Sequence, residues 1–190
     1  MTMWPRIIFT PSEIRDITRN KMPAASLFRY GMDLNSITVY VDGSYNDAIK
    51  KYAFGCVFIL DDGEIYLAFG NGDNPESLKQ RNVTGEMLGA MYAVQCARKS
   101  GYRAIDIYYD YSGIESWVSG AWKAKNELTQ KYRDAMRGWG TDIKITFHKV
   151  EGHSGDKYND LADKTAKRGL TEGEGIPAVK AVTDLEFLDL

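Results

Sequence analysis

Four acidic residues stand where a carboxylate could do chemistry. Asp42 and Asp110 each close a strand-like run, SITVYVDGS and RAIDIYYD, while Glu86 and Asp163 fall within helical patterns. A carboxylate in apolar surroundings is costly unless it is paired or binds a metal. If the four converge, their mutual repulsion favours Mg²⁺ or Mn²⁺, hard cations that take oxygen ligands. Two such ions about 4 Å apart suit in-line displacement at a phosphodiester.

Each acid also has a plainer interpretation as a strand-end or helix-capping group, and spacing along the chain does not decide between the two. His153 presents the same choice. It lies in the turn VEGHSGD between Gly152 and Gly155, directly before the helical segment that carries Asp163. An imidazole there could move protons or help to release a product, or it could simply be a solvated loop side chain.

The elements that must position these residues can be read from apolar periodicity and turn signals. Asp62-Gly63 between two apolar runs is a strong hairpin signal. The chain predicts strands at 36–44, on both sides of that turn within 54–72, at 103–110 and at 142–150, and helices at 82–101, 113–120, 126–140 and 156–169. This order predicts an α/β fold with a five-stranded mixed sheet, three antiparallel strands followed by parallel strands, and helices on both faces.

The two ends of the chain differ from this middle part. Thr10, Pro11 and Glu13 form a capping-box pattern that predicts a short helix over 10–20. We therefore expect an N-terminal appendage at 1–35, a catalytic domain at 36–170 and an acidic C-terminal tail at 171–190. The pattern leaves open whether the tail packs back on the domain.

Charge and composition bound the function. The 24 basic and 26 acidic side chains give a net charge of −2, which by itself argues against a nucleic-acid partner. The balance is uneven, because residues 121–137 hold five basic side chains against two acidic ones. Cys56 and Cys96 lie in apolar runs and predict buried thiols rather than a disulfide. No apolar run approaches the roughly 20 residues that span a bilayer, and the sequence predicts a cytoplasmic protein.

Four segments together resemble a known family: TVYVDGS (38–44), NVTGEMLGA (82–90), IYYDYSGIESWVSGAW (107–122) and KVEGHSGDKYNDLADKTAK (149–167). They are similar to type 1 ribonuclease H, a metal-dependent endonuclease that cuts the RNA strand of RNA–DNA hybrids. The resemblance covers roughly residues 36–170 and implies the ribonuclease H-like fold. It also implies that the partner is an RNA–DNA hybrid. The protein is expected to be a monomer that needs no obligate protein partner and binds no membrane.

The resemblance also assigns roles to the acids. It implies that Asp42, Glu86, Asp110 and Asp163 bind two Mg²⁺ ions, with Mn²⁺ as the alternative, and that His153 is the family's loop histidine. Asp160 competes with Asp163 for the fourth position. In the family this acid lies ten residues beyond the loop histidine and four beyond a helix asparagine, and both distances lead to Asp163 here.

Substrate contacts follow from the same resemblance. Asn82 matches a residue at the minor groove of the hybrid, and Lys79 and Arg81, with Asn126, match the grip on a DNA phosphate. Trp117 and Trp122 resemble tryptophans that line the DNA-strand channel, although core packing is their alternative. The remaining expected substrate-binding residues are Gly43, Ser44, Lys123, Lys125 and Asn159.

The chain departs from the family pattern at three places. Residues 45–50 replace the usual Gly-Asn-Pro-Gly stretch, Tyr111 replaces the serine after Asp110, and the basic protrusion is shortened to AWKAKNELTQKYR. This pattern resembles a branch found in Firmicutes. Two alternatives to ribonuclease H remain: another metal-dependent nuclease of the same fold, and a non-catalytic hybrid-binding module.

Overall fold

The computed structural model describes residues 35–152 and 155–189. The helix predicted over 10–20 and the loop residue His153 lie outside these ranges. The elements in chain order are β1 Ser36–Asn46, β2 Lys51–Ile59, β3 Ile65–Gly72, α1 Pro75–Leu78, α2 Asn82–Ser100, β4 Ala104–Tyr109, α3 Gly113–Ser119, α4 Glu127–Trp139, β5 Lys144–Lys149, α5 Lys157–Glu172, a 3₁₀ turn Val182–Asp184 and β6 Glu186–Leu188.

Within the described ranges the sheet has six strands in the order β5-β4-β1-β2-β3-β6, so the prediction of five strands is wrong. The additional strand comes from the C-terminal tail, where Tyr66 of β3 pairs with Phe187 of β6 in antiparallel register. A three-residue edge strand is too short to show alternation in the sequence. The other pairings agree with the prediction, because β1, β2 and β3 are antiparallel and β1, β4 and β5 are parallel.

The hairpin between β2 and β3 forms at the predicted turn. Gly63 adopts a left-handed φ of 86°, which costs glycine little, and the amide of Leu60 donates a hydrogen bond to the carbonyl of Glu64 at 2.9 Å. This turn fixes the register that pairs Ile59 with Ile65. The local Asp-Gly signal therefore determines how the apolar runs of both strands meet.

Helices cover both faces of the sheet, as predicted. A side chain on Gly43 would collide with the backbone of α2, whereas one on Gly55 would collide with the backbone of α5 at Ala162 and Ala166. Strand alternation consequently directs Val39 and Val41 of β1 toward α2 and its apolar core. The intervening residues of the same strand face the α5 side of the sheet.

Helix ends follow the expected signals with one difference. Asp156 caps α5 by accepting hydrogen bonds from the amides of Tyr158 and Asn159, and left-handed Gly101 ends α2. Helix α5 continues to Glu172, beyond the predicted end at 169. The short α1 was not predicted, because four residues show no helical periodicity.

The tail packs back on the domain. Val182 is 1 % exposed, and its amide donates a hydrogen bond to Ser100 Oγ at 2.8 Å. The guanidinium of Arg168 pairs with Glu186 at 3.0 Å. Cys56 and Cys96 are buried and unpaired, as predicted. Among the described residues, no helix combines the length and apolarity needed to cross a membrane.

Candidate functional site

Three of the four predicted acids meet at the carboxyl end of the parallel strand pair formed by β1 and β4. Carboxylate oxygens of Asp42, Glu86 and Asp110 lie within 4.8 Å of one another. Asp42 lies within β1, Asp110 directly follows β4, and Glu86 lies in the first part of α2. The parallel pairing of β1 with β4 brings the two aspartates side by side, and α2 brings the glutamate against β1.

Glycines make this approach of helix and strand possible. A Cβ at Gly43 would collide with the carbonyl oxygen of Asn82 and would lie 2.9 Å from Cγ of Glu86. A Cβ at Gly85 would collide with the carbonyl oxygen of Ala53. Gly43 was predicted to bind substrate; here its backbone lies against α2, and its amide donates a hydrogen bond to Asp42 Oδ1 at 2.6 Å.

Burial and mutual repulsion favour the neutral forms of two of the acids. Burial, followed by the charge of Asp110 and then that of Asp163, raises the pKa of Asp42 to about 7. Burial, followed by the charges of Asp42 and Asp110, raises the pKa of Glu86 to about 9. The backbone amide of Tyr111 hydrogen-bonds Glu86 and opposes part of this increase. A bound cation would remove the repulsion.

The residues present fit a hard divalent cation. Within residues 35–152 and 155–189, Glu86 Oε2 is a buried oxygen without a hydrogen-bond partner. A buried oxygen of this kind costs free energy unless an ion or a water binds it. Carboxylate oxygens are the ligands that Mg²⁺ and Mn²⁺ prefer. Asp42, Glu86 and Asp110 can therefore hold such an ion.

Asp163 lies near these three acids but does not belong to the group whose carboxylate oxygens all lie within 4.8 Å of one another. Its charge contributes to the raised pKa of Asp42, and its Oδ2 forms an ion pair with Lys167 Nζ at 2.6 Å. Lys167 in turn lowers the pKa of Asp42. Lys167 was not among the predicted site residues, although its position four residues after Asp163 was a signal for an i,i+4 pair.

The loop that leads to His153 passes close to Asp110. A Cβ at Gly152 would lie 2.9 Å from Asp110 Oδ2, so the glycine allows the loop backbone to approach the carboxylate. His153 itself lies outside the described residues. Its role stays a prediction.

The residues predicted to grip the hybrid lie in two neighbouring regions. Arg81 and Asn82 are exposed at the start of α2, and the Arg81 guanidinium lies 5.9 Å from the ring centre of Tyr45. Lys79 and Asn126 line a common cavity of about 300 Å³ between α1 and the start of α4. Asn126 also caps α4, because its Oδ1 accepts a hydrogen bond from the amide of Thr129 at 2.9 Å.

The two tryptophans have different environments. Trp117 is 8 % exposed and packs in the core against Tyr132, which agrees with the alternative that this tryptophan serves core packing. Trp122, in contrast, is 44 % exposed. The rings of Trp117 and Trp122 still meet edge to face at 6.1 Å. Lys123 and Lys125 are exposed beside them.

Part of the basic surplus at 121–137 is compensated by internal pairs. Lys131 pairs with Glu127 at 2.6 Å, and Arg133 pairs with Asp134 at 2.8 Å. The positive charge that remains in this segment is carried by Lys123, Lys125 and Arg137, and Arg137 Nε donates a hydrogen bond to the carbonyl of Val118 at 2.7 Å.

Two further residues predicted to bind substrate are Asn159 of α5 and Ser44, two residues after Asp42. Asn159 is buried, and its Oδ1 has no hydrogen-bond partner among the residues described. Ser44 follows Gly43 near the end of β1 and is half-buried.

The backbone amide of Tyr111, which hydrogen-bonds Glu86, was not among the predicted site groups, because a main-chain donor carries no residue-type signal.

Comparisons with known proteins agree with this architecture. The sequence profile of the RNase H family matches residues 34–171, well over half of the chain. A ribonuclease H of Maricaulis maris is 28 % identical over 152 residues, covering 75 % of this chain and 98 % of that protein. A ribonuclease H of Afipia carboxidovorans is 26 % identical over 145 residues, covering 72 % of this chain and 93 % of that protein.

Solved structures share the fold at low sequence identity. RNase H1 from the halophilic archaeon Halobacterium salinarum has a TM-score of 0.61 at 20 % identity and covers 73 % of this chain and all of its own. LC11-RNase H1, solved in complex with an RNA/DNA hybrid, has a TM-score of 0.56 at 12 % identity, covering 70 % of this chain and 99 % of its own. From the family profile, the shared fold and the converging carboxylates, we conclude that this chain belongs to the ribonuclease H family of hydrolases.

Proposed function

We propose that this protein is an endonuclease that hydrolyses the RNA strand of RNA–DNA hybrids by two-metal-ion catalysis. The observation that carries the proposal is the group formed by Asp42, Glu86 and Asp110, whose carboxylate oxygens lie within 4.8 Å of one another, with two of the three residues buried. Membership of the ribonuclease H family and the hybrid bound to LC11-RNase H1 support the choice of substrate.

In this proposal Asp42, Glu86, Asp110 and Asp163 hold the two ions. The ions that these residues would hold would supply Lewis-acid chemistry, namely activation of the attacking water and neutralisation of charge on the leaving 3′-oxygen, so that the products would carry a 3′-hydroxyl and a 5′-phosphate. The four residues contribute by placing negative oxygens on one side of the scissile phosphate. The burial of Asp42 and Glu86 limits the screening of their charges by water.

We propose that His153 carries protons at the site. The position of Gly152, the residue before it, supports this proposal, because a Cβ on Gly152 would lie 2.9 Å from Asp110 Oδ2. We expect His153→Ala to lower steady-state turnover without abolishing it, since the metal ligands remain. An unchanged turnover number in this variant would show that the histidine is a bystander.

Hybrid recognition is assigned to polar residues around the acids, which range from exposed Asn82 to buried Asn159. Asn82 and Ser44 are proposed to contact the minor groove, and Asn159 to support the contact from α5. Lys79, Arg81 and Asn126 are proposed to hold a DNA phosphate at the cavity between α1 and α4. Such contacts read hybrid shape and ribose 2′-hydroxyls rather than base edges.

A second region extends this surface along the DNA strand. Exposed Trp122 and the adjacent Lys123 and Lys125 offer stacking area and positive charge. Trp117 is proposed to support Trp122 from the core, through their edge-to-face contact. Because phosphate contacts release counterions, binding by the lysines should weaken steeply as salt is raised.

The alternatives are another metal-dependent nuclease of the same fold and a non-catalytic hybrid-binding module. A labelled 20-base-pair RNA–DNA hybrid, duplex DNA and duplex RNA, each with Mg²⁺ and with EDTA, separate the three. We expect Mg²⁺-dependent cleavage of the RNA strand of the hybrid alone. Cleavage of duplex DNA would favour the first alternative, and binding without cleavage would favour the second.

A matched pair of variants secures the assignment. Asp42→Asn removes a proposed ligand, while Asp61→Asn makes the same change at an exposed position of the β2–β3 turn. We expect the first variant to lose cleavage and the second to retain it. Equal activity of the two variants would contradict the proposed site.

Finer features of the proposal rest on the sequence. They are the type 1 assignment, the Firmicutes-like branch, Mg²⁺ rather than Mn²⁺, a monomer without an obligate protein partner, a cytoplasmic location, and the division into 1–35, 36–170 and 171–190. The two relatives described above are proteobacterial, so the proposed branch rests on the pattern of departures from the family sequence.

A further inference from the structure

Three aromatic side chains are stacked across the parallel strands on the α5 side of the sheet. The ring centres of Tyr40 and Tyr108 lie 4.5 Å apart with planes 16° from parallel. The rings of Tyr108 and His148 lie 4.6 Å apart with planes 17° from parallel. These residues are also register partners in β1, β4 and β5. We call this set the aromatic row.

The aromatic row lies next to the carboxylates. Tyr40 precedes Asp42 by two residues, and Tyr108 precedes Asp110 by two residues. Because side chains alternate along a strand, each aspartate occupies the next position on the same face, about 7 Å further along. The stacked pair thus joins β1 and β4 immediately before the point where their carboxylates repel each other.

Both ends of the aromatic row are anchored. At one end, the ring of Tyr158 packs against Tyr40 at 5.5 Å, which ties the row to the first turn of α5. At the other end, His148 Nε2 hydrogen-bonds Asp106 Oδ1 at 2.7 Å, and Asp106 Oδ2 accepts a hydrogen bond from Ser36 Oγ at 2.6 Å. The row therefore connects β1, β4, β5 and α5.

The same connection reaches the loop beside Asp110. His148 lies two residues before Val150, whose amide donates a hydrogen bond to the carbonyl of Tyr109 at 2.8 Å. That bond continues the pairing of β4 with β5 to the end of Tyr109, directly before Asp110. Fixing β5 through His148 consequently fixes the backbone that enters the site.

We propose that Tyr40, Tyr108 and His148 are positioning residues that set the spacing of Asp42 and Asp110, and thereby the affinity of the site for divalent cations. The proposal rests on the proposed function, since it takes these two aspartates as metal ligands. None of the three rings needs to touch the ion or the hybrid. Their contribution is to hold two strand ends together against carboxylate repulsion, so the ligands are already in place when the ion arrives.

The test measures Mg²⁺ affinity of the full chain without substrate, from the rise of the thermal midpoint across a Mg²⁺ titration. Tyr108→Leu removes the central ring, and we expect its Kd for Mg²⁺ to rise about 3- to 10-fold, less than the 10- to 100-fold typical of direct hydrogen-bond partners of ligands. Tyr108→Phe keeps the stack and should stay within about twofold of wild type.

A control separates positioning from general stability. Tyr66 lies on β3, two strands away from β1, and its buried ring packs on Phe187 with the ring centres 5.5 Å apart. Tyr66→Leu removes this ring. We expect it to lower the thermal midpoint in EDTA while leaving the Kd for Mg²⁺ unchanged. A loss of Mg²⁺ affinity in Tyr66→Leu equal to that in Tyr108→Leu would overturn the positioning role.

The outcomes also distinguish this inference from the proposed function. If wild type neither binds Mg²⁺ nor cleaves the hybrid, the proposed function fails. If wild type does both and folded Tyr108→Leu binds Mg²⁺ as tightly, the positioning role alone is overturned. If Tyr108→Leu does not fold, the deciding variant is His148→Leu, at the half-exposed end of the aromatic row. We expect His148→Leu to bind Mg²⁺ about two- to threefold more weakly than wild type. An unchanged Mg²⁺ affinity in this variant would contradict the positioning role.

Discussion

Gly43 lies directly against Glu86, since a Cβ at residue 43 would be 2.9 Å from Cγ of Glu86. This contact is what lets the start of α2 rest on β1. It places the carboxylate of Glu86 beside that of Asp42, the residue before Gly43. One missing side chain thus determines the spacing of two acids.

We expect Gly43→Ala to disturb the site more than the fold. The added methyl forces α2 away from β1, and a misplacement of about 1 Å can reduce turnover by about 100-fold. Overpacking should lower the free energy of unfolding by about 1–3 kcal/mol. Steady-state cleavage and urea unfolding measure the two effects. Gly138→Ala is the control, because a Cβ there meets no atom within 4 Å.

The carboxylate group makes the metal-free protein less stable as pH rises. The pKa of Asp42 is raised from 3.8 to about 7 in the folded state. Between these values the unfolded chain binds fewer protons than the folded one, so the free energy of unfolding falls with increasing pH, and the loss from Asp42 is complete above about pH 7.

Asp42→Asn should remove this loss. At pH 8 in EDTA we expect the variant to be more stable than wild type by about 2–4 kcal/mol, at 1.36 kcal/mol for each pKa unit, and the difference should shrink toward pH 4. Urea unfolding across this range measures it, with Asp61→Asn as the control. A variant that is less stable than wild type at pH 8 would contradict this electrostatic account.

The choice between Asp160 and Asp163 is open to a direct comparison. Asp163 is the acid whose charge raises the pKa of Asp42, and it is one helical turn further along α5 than Asp160. We expect Asp163→Asn to reduce Mg²⁺-dependent cleavage by at least about 100-fold and Asp160→Asn by less than about threefold, in line with loss of a catalytic ligand against a surface change. The reverse order would reassign the fourth ligand to Asp160.

Much of this fold could be predicted from local signals. The predicted Asp62-Gly63 turn acts within a few residues and is confirmed, and the capping residue Asp156 and the glycine after α2 are local signals of the same kind. The convergence of Asp42 with Asp110 could be expected because both were predicted at the carboxyl ends of strands, although β1 continues four residues past Asp42.

The remaining features depend on contacts that sequence spacing does not encode. Strand β6 forms because β3 offers an open edge, and three residues carry no pattern of their own. The aromatic row exists because register places Tyr40 opposite Tyr108, which the sequence does not determine. Burial of Trp117 likewise depends on the packing of α3 against α4, where Tyr132 meets it.

The tail should contribute to stability without affecting the site. Val182 is fully buried, and its amide bonds Ser100 Oγ. We expect Val182→Ala to lower the free energy of unfolding by about 2 kcal/mol through lost apolar burial and the cavity left behind. Urea unfolding measures this effect, and turnover should stay unchanged. Ile176→Ala, at an exposed tail position, should change neither.

The most direct measurement compares wild type with Asp110→Asn on one labelled RNA–DNA hybrid, following RNA-strand cleavage in Mg²⁺ and hybrid binding in EDTA. If buried carboxylates hold the catalytic ions, Asp110→Asn loses cleavage while its Kd for the hybrid stays within about threefold of wild type, since the phosphate-gripping residues are untouched. Substantial Mg²⁺-dependent cleavage by Asp110→Asn would contradict the account.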